Sequence, residues 1–445
     1  MKNFKDNLNP SKILVLGFVI IIIVGAILLS LPIATEDGKG LAFLDALFTS
    51  TSATCVTGLV VVDTGDTFSM FGEIVILILI QLGGIGFMTF ATFLFTILGK
   101  KISLKERLLL KEAFNASSTS GIVKLVKRIL VFALLTEGIG ALILGIRFSF
   151  EMPIGQAIYY GIFHSISLFN NAGFDLMGDF RGLTGYVNDP TVVLTVCMLI
   201  VIGGLGFIVI NELYEYRETR KVSLHTKVVL LTTVILILGA TIFIYLFEYG
   251  NDKTLGPLSV VEKGLAALFH GVTPRTAGAN TLSMGELTHA TLFLTIFLMF
   301  IGGGSGSTAG GIKVTTFAVL MATVLSQLKG KQDVVLFKRR IVIDTILKVL
   351  TVVISGIMVV VIVTFLLSIT EKGHEFIMYL FEATSAFGTV GLSIGLTPEL
   401  SAIGRILIII TMFIGRLGPL TLGFAIANRK KQEGFQHPKG NIMIG

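Results

Sequence analysis

The sequence predicts an all-α polytopic membrane protein. It consists of four M1–P–M2 repeats, each a membrane helix, a re-entrant half-helix with its loop, and a second membrane helix, in pseudo-fourfold symmetry around one pore. Three observations lead there. Of 445 residues, 53% are hydrophobic and 14% charged, against about 25% charged in soluble domains. Eight apolar runs reach the roughly 20 residues that cross a bilayer. Four shorter apolar segments alternate with them, each leading into a polar stretch with a glycine.

The long runs are 13–34, 71–98, 125–148, 191–213, 226–247, 288–328, 341–369 and 402–427. Lys2, Lys5 and Lys12 give the first a likeness to a signal peptide. It is too long for an h-region and no A-x-A site follows, so it reads as a retained membrane helix. The sixth exceeds one span and is interrupted at 302–313, a stretch with six glycines, three small hydroxyl residues and one lysine. The short segments are 41–54, 155–169, 259–272 and 375–386, too short to span and suited to half-helices. The repeats are therefore expected at 11–99, 121–216, 224–328 and 339–428, the third carrying an intramembrane loop at 302–313.

The repeats align on one another. The first loop reads Thr54, Cys55, Val56, Thr57, Gly58; the second Asn170, Asn171, Ala172, Gly173. The third reads Arg275, Thr276, Ala277, Gly278, and the fourth Gly388, Thr389, Val390, Gly391. An apolar–Phe pair precedes each final glycine by nine or ten residues, and a second glycine mark follows: Gly83–Gly84, Gly203–Gly204, Gly302–Gly303 and Gly415–Arg416.

The net charge of +7 would suggest nucleic acid in a soluble protein. Here 25 of the 35 Lys and Arg residues fall in the N-terminal segment, 99–128, 212–227, 326–348 and the C-terminal segment. The positive-inside rule then puts both termini in the cytoplasm and opens the glycine loops outward. Cys55 and Cys197 sit in apolar stretches and read as buried small hydrophobes.

Four glycine loops on one chain suit a dehydrated cation. Rings of backbone carbonyls replace its water, as four T-V-G-Y-G loops do in K⁺ channels. Glycine accepts the positive φ that aligns successive carbonyls, and four half-helix C-termini aimed at one axis favour positive charge. Thr389–Val390–Gly391 keeps the first three letters of that motif.

With these loops and the 302–313 stretch, the chain resembles the Trk/Ktr/HKT cation transporter superfamily over nearly its whole length. The resemblance implies K⁺ at Gly58, Gly173, Gly278 and Gly391, one filter glycine per repeat. In plant relatives a serine at the first position accompanies sodium selectivity, so Gly58 favours potassium. Also implied are a gate formed by Gly302, Gly303, Gly304, Ser305, Gly306, Ser307, Thr308, Ala309, Gly310, Gly311 and Lys313, a role for Na⁺, and no organic cofactor in this chain. The implied partners are a second copy of the chain, a cytosolic RCK-type nucleotide-binding ring and membrane lipid, in a bacterial plasma membrane.

Glycines within 302–313 weaken a continuous helix by about 1 kcal/mol each. Gly306-x₄-Gly311 lacks the P-loop lysine, and Gly304-x-Gly306-x-x-Ala309 lacks the strand a dinucleotide fingerprint requires. Arg416 is expected beside the pore, contacting the gate loop; a pair with Glu137 is the alternative. Lys313 reads equally as a gate cation or a snorkelling side chain. Arg275 is expected to brace its loop from behind. Asp175 either draws cations to the mouth or is a solvated charge. Asn170 and Asn171 either donate carbonyl oxygens or stabilise the neighbouring loop. An enzyme would need converging carboxylates, a His cluster or a Ser/Lys pair, and the spans carry none. Inverted repeats would mark an ordinary secondary transporter, whereas these run in one direction.

Overall fold

The computed structural model describes residues 10–86 and 121–419, with positions 89, 107, 108, 110, 421 and 423. Apart from those positions, the expected 71–98 span beyond residue 86, segment 99–120 and the end of the last expected span lie outside the described residues.

The first part comprises α1 (Pro10–Leu29), α2 (Phe43–Cys55), α3 (Thr64–Thr67) and α4 (Met70–Gly84). There follow α5 (Ile122–Phe148), α6 (Ile154–Phe169), α7 (Pro190–Leu205) and α8 (Phe207–Thr219). Next come α9 (Leu224–Glu248), α10 (Val260–Val272), α11 (His289–Phe300) and α12 (Val314–Leu328). A two-residue-per-strand hairpin, β1 (Val335–Leu336) and β2 (Arg339–Arg340), precedes α13 (Ile343–Thr370), α14 (Phe376–Gly388), α15 (Leu396–Glu399) and α16 (Ala402–Leu417). Four described helices, α1, α5, α9 and α13, are long and apolar enough to cross a membrane. Their outward faces carry large apolar side chains, such as Leu135 and Ile139 on α5. Water would penalise such a surface and hydrocarbon does not, so this is a multi-pass membrane protein.

Helix ends follow local chemistry. Asp189 caps α7, with Pro190 in its first turn. Ser259 and Glu262 form a capping box on α10. Buried carboxylates then lock neighbouring helices. Glu248 at the end of α9 accepts from the N–H and hydroxyl of Thr288, the cap of α11. Glu371, just beyond α13, does the same for Ser401, the cap of α16. Arg405 on α16 pairs with Asp45 on α2, joining the last membrane helix to the first half-helix.

The expected single span 191–213 is two helices, α7 and α8, bent by 95° at Gly206. That glycine has φ +98°, and a Cβ there would come 2.7 Å from the Ser305 carbonyl oxygen. Hydropathy is averaged over many residues and does not register one left-handed glycine. The unit boundary expected at 216 consequently falls inside α8.

Candidate cation site and intramembrane loop

The short helices α2, α6, α10 and α14 are 13 to 16 residues long and buried toward their C-terminal ends. Three of them end without a proline, and α10 meets Pro274 two residues past its end. Two residues before the marked glycine stands a non-glycine residue at positive φ: Val56 (58°), Asn171 (60°), Thr276 (74°) and Thr389 (48°). The glycines are left-handed too: Gly58 (89°), Gly173 (70°), Gly278 (74°) and Gly391 (94°). Positive φ is uncommon for non-glycine residues and an outlier for a β-branched one, so four such residues in register mark stored strain.

The four glycines meet. A Cβ on Gly58 would strike the Ala172 carbonyl oxygen, and one on Gly173 would lie 2.6 Å from that of Ala277. On Gly278 it would strike the Val390 oxygen, and on Gly391 the Thr57 oxygen, which closes the circuit. Each such Cβ would also sit 3.0–3.2 Å from the next glycine's Cα. No side chain fits this ring, and its circumference is backbone. A cavity of about 510 Å³ opens onto it, lined by the four glycines and, farther out, by Asp63, Asp175 and Asn280.

Residues that sequence reasoning misses hold the ring from behind. Ser52 and Ser385 hydroxyls accept from the N–H of Gly58 and Gly391 at 3.0 and 3.1 Å. Ser167 donates to the Phe174 oxygen at 2.7 Å, and Thr273 to that of Ala279. These hydroxyls stand five or six residues before the glycine in all four segments, so laying the repeats together is the signal that finds them. A second tier ties the descending loops: His164 and His270 accept from the N–H of Leu176 and Leu282, and Glu382 accepts from Ser393 and Thr397. Two are histidines and the third a glutamate, and composition gives no clue.

The second glycine marks have a packing reason. A Cβ on Gly83, Gly203 or Gly415 would collide with the carbonyl of Thr54, Phe169 or Phe387, the ends of α2, α6 and α14. In the third segment Gly302 lies instead against Gly310 of the interrupting loop.

That loop sits against the ends of the half-helices and of α7. Gly304 N–H donates to the Gly204 oxygen at 2.7 Å, Phe207 N–H to Gly306 at 2.9 Å, and Gly302 N–H to Ile312 at 2.8 Å. The Thr308 hydroxyl meets the Phe169 oxygen at 3.4 Å. A Cβ on Gly310 would run into the Thr389 side chain, and one on Gly311 would lie 3.2 Å from Gly388 Cα. Ser307 donates to the Gly304 oxygen and accepts from the Ala309 N–H. Lys313 turns back onto the Ala309 oxygen at 2.5 Å. The half-buried Ser305 offers its carbonyl toward Gly206. Arg416 donates to the Thr308 oxygen and to those of Gly83 and Gly84, so one guanidinium spans the loop and α4. Glu137 bonds Gln81 and Asn170 instead.

The remaining side chains also have places. Asn170 points away from the ring, and Asn171 reaches the Thr276 hydroxyl at 3.2 Å, joining the second segment to the third. Arg275 is buried one residue before Thr276. Cys55 and Cys197 are buried free thiols. Asp175 is half-buried at the mouth, accepting from Met177 N–H.

A backbone-lined ring at the ends of four half-helices, inside a multi-pass chain, belongs to the class of membrane cation transport proteins. The chain belongs to the TrkH family, described as cation transport protein, whose model matches residues 8–436. It is 47% identical over 437 residues to the Ktr system potassium uptake protein B of Bacillus subtilis, covering 98% of this chain and 97% of that one. It is 41% identical over 452 residues to the potassium/sodium uptake protein NtpJ of Enterococcus hirae, covering 100% and 99%. The crystal structure of the potassium transporter TrkH from Vibrio parahaemolyticus shares the fold: TM-score 0.72 at 20% identity, over 96% of this chain and 87% of that one.

Proposed function

We propose that this chain is the potassium-translocating, pore-forming subunit of a Ktr-type uptake system. Its repeats, 11–99, 121–216, 224–328 and 339–428, surround the ring with pseudo-fourfold symmetry. The observation that carries the reading is the mutual approach of Gly58, Gly173, Gly278 and Gly391, each glycine pressed on the next segment's backbone. Carbonyls in such a ring can replace the hydration shell of K⁺. The loop 302–313, tied by Arg416, is the gate below the filter.

The relatives' names, potassium uptake and potassium/sodium uptake, support K⁺ as the cargo and a role for Na⁺. A relative named as component B of a Ktr system supports a separate regulatory component, which we take to be a cytosolic RCK ring bound to a dimer of this chain. The Lys and Arg distribution supports cytoplasmic termini in a bacterial plasma membrane.

Expression in bacteria lacking potassium uptake, with and without a co-expressed RCK subunit, tests this. Growth at low external K⁺ is expected, strongest with the partner; no growth in either case overturns it. A second reading, sodium or poorly selective monovalent transport, is favoured by the potassium/sodium name of the Enterococcus hirae relative. Equal uptake of Rb⁺ and Na⁺ would establish that alternative.

A further inference from the structure

Glu137 is a carboxylate on α5, only 4% exposed, and no Lys, Arg or His pairs with it among the described residues. An uncompensated acid at membrane depth is costly and marks function more often than packing. Its partners are amides. Gln81 Nε2, from α4, donates to both carboxylate oxygens at 3.1 Å. Asn170 Nδ2, at the end of α6, donates to Oε1 at 3.1 Å and to Gln81 Oε1 at 2.7 Å. Three elements are thereby tied at one point behind the second ring segment.

A comparison within the chain separates the carboxylate from helix packing. Ser165 on α6 donates to the Glu137 backbone oxygen at 2.7 Å. In the first segment Ser50 donates to the Ile22 backbone oxygen, also at 2.7 Å, and both pairs stand at the same offsets from their ring glycine. The helix contact thus forms equally well around isoleucine. What the acid adds is its grip on Asn170. Asn170 Oδ1 has no hydrogen-bond partner and is wedged against Gly84. The next residue, Asn171, is left-handed and reaches Thr276 of the third segment.

We propose that Glu137, with Gln81, is a positioning residue for ion discrimination: through Asn170 it fixes the second ring segment and its spacing to the third. This rests on the reading of the ring as a cation filter. Carbonyl rings discriminate between K⁺ and the smaller Na⁺ through their spacing and stiffness. A loosened second segment would admit Na⁺ before transport itself fails.

The test uses the full chain in proteoliposomes, measuring Rb⁺ uptake and its competition by Na⁺, normalised to inserted protein. Glu137→Ala and Asn170→Ala should each lower Rb⁺ over Na⁺ discrimination at least about fivefold. The double variant should fall no further than either single one, as for groups acting through one another. Glu137→Gln, which keeps an acceptor for Asn170, should retain most of the discrimination. If Glu137→Ala does not insert, Gln81→Leu carries the same expectation. Wild-type discrimination in the single variants, or full additivity in the double, overturns the proposal and leaves the filter reading standing. Absence of any cation uptake by the wild-type chain overturns the filter reading itself.

Discussion

Glycine does different work in the ring and in the loop that faces it. All four ring glycines are left-handed, which other residues adopt only at a cost, and a Cβ on any of them would also meet the next segment's carbonyl. Of the six glycines in 302–313, only Gly306 and Gly311 are left-handed. The other four are there because a Cβ would collide with Gly310, Gly204, Leu205 or Thr389. The ring is held by hydrogen bonds from its own half-helices and by its own closure. The loop is held by bonds within itself and by a few to its surroundings: α6, α7, Phe207 and Arg416. The first arrangement defines a shape; the second has few ties to its surroundings, which suits the gate proposed above.

That contrast can be broken experimentally. The largest effect should come from the ring: Gly278→Ala forces alanine to φ +74° with its Cβ on the Val390 oxygen. Left-handed backbone alone costs about 1–2 kcal/mol, and the collision adds to it. We expect Rb⁺ uptake to drop at least about tenfold at normal abundance. Gly304→Ala in the loop should change the rate while ion preference stays put; a shift in preference would erase the distinction between the two regions.

Arg416→Ala comes next. It removes charge-assisted bonds worth about 1.5–3 kcal/mol each, frees Thr308 and should raise uptake about three- to tenfold, as should deletion of 305–309. Unchanged flux in both variants would remove the gate role. Gly206→Ala should act on assembly, lowering stability by about 1–2 kcal/mol, read as earlier melting in detergent with ion preference retained.

The smallest effect belongs to the mouth. Burial pushes the Asp175 carboxyl up to about 6, Asp63 adds to the rise, and Met177 N–H and Arg181 oppose it. The carboxyl is therefore charged above that pH and neutral below it. Apparent cation affinity should weaken about twofold as external pH falls from 7.5 to 5, and Asp175→Asn should flatten this profile at the low-affinity level. A pH response that persists in Asp175→Asn assigns the effect elsewhere.

Much of the fold is legible because hydrocarbon thickness imposes lengths. Segment 41–54 became Phe43–Cys55, 155–169 became Ile154–Phe169, and 226–247 became Leu224–Glu248. The break within 288–328 is legible because six glycines in twelve residues cannot sustain a helix. The bend at Gly206 is not, since one glycine among apolar residues looks like many others here. Ser52, Ser167, Thr273 and Ser385 recur five or six residues before the ring glycine, a signal that appears only when the repeats are laid together, and their hydrogen-bond partners are known only from the structure.

The sequence by itself determined the membrane class, the half-helices, the interrupted span and the recurring glycines, because bilayer thickness and glycine's φ freedom act locally along the chain. Only the tertiary structure decided what touches what: that Arg416 bridges Thr308 and Gly83, and that Glu137 bonds Gln81 and Asn170. Those contacts join residues tens to hundreds of positions apart, and no local pattern specifies which carbonyl a buried guanidinium will find.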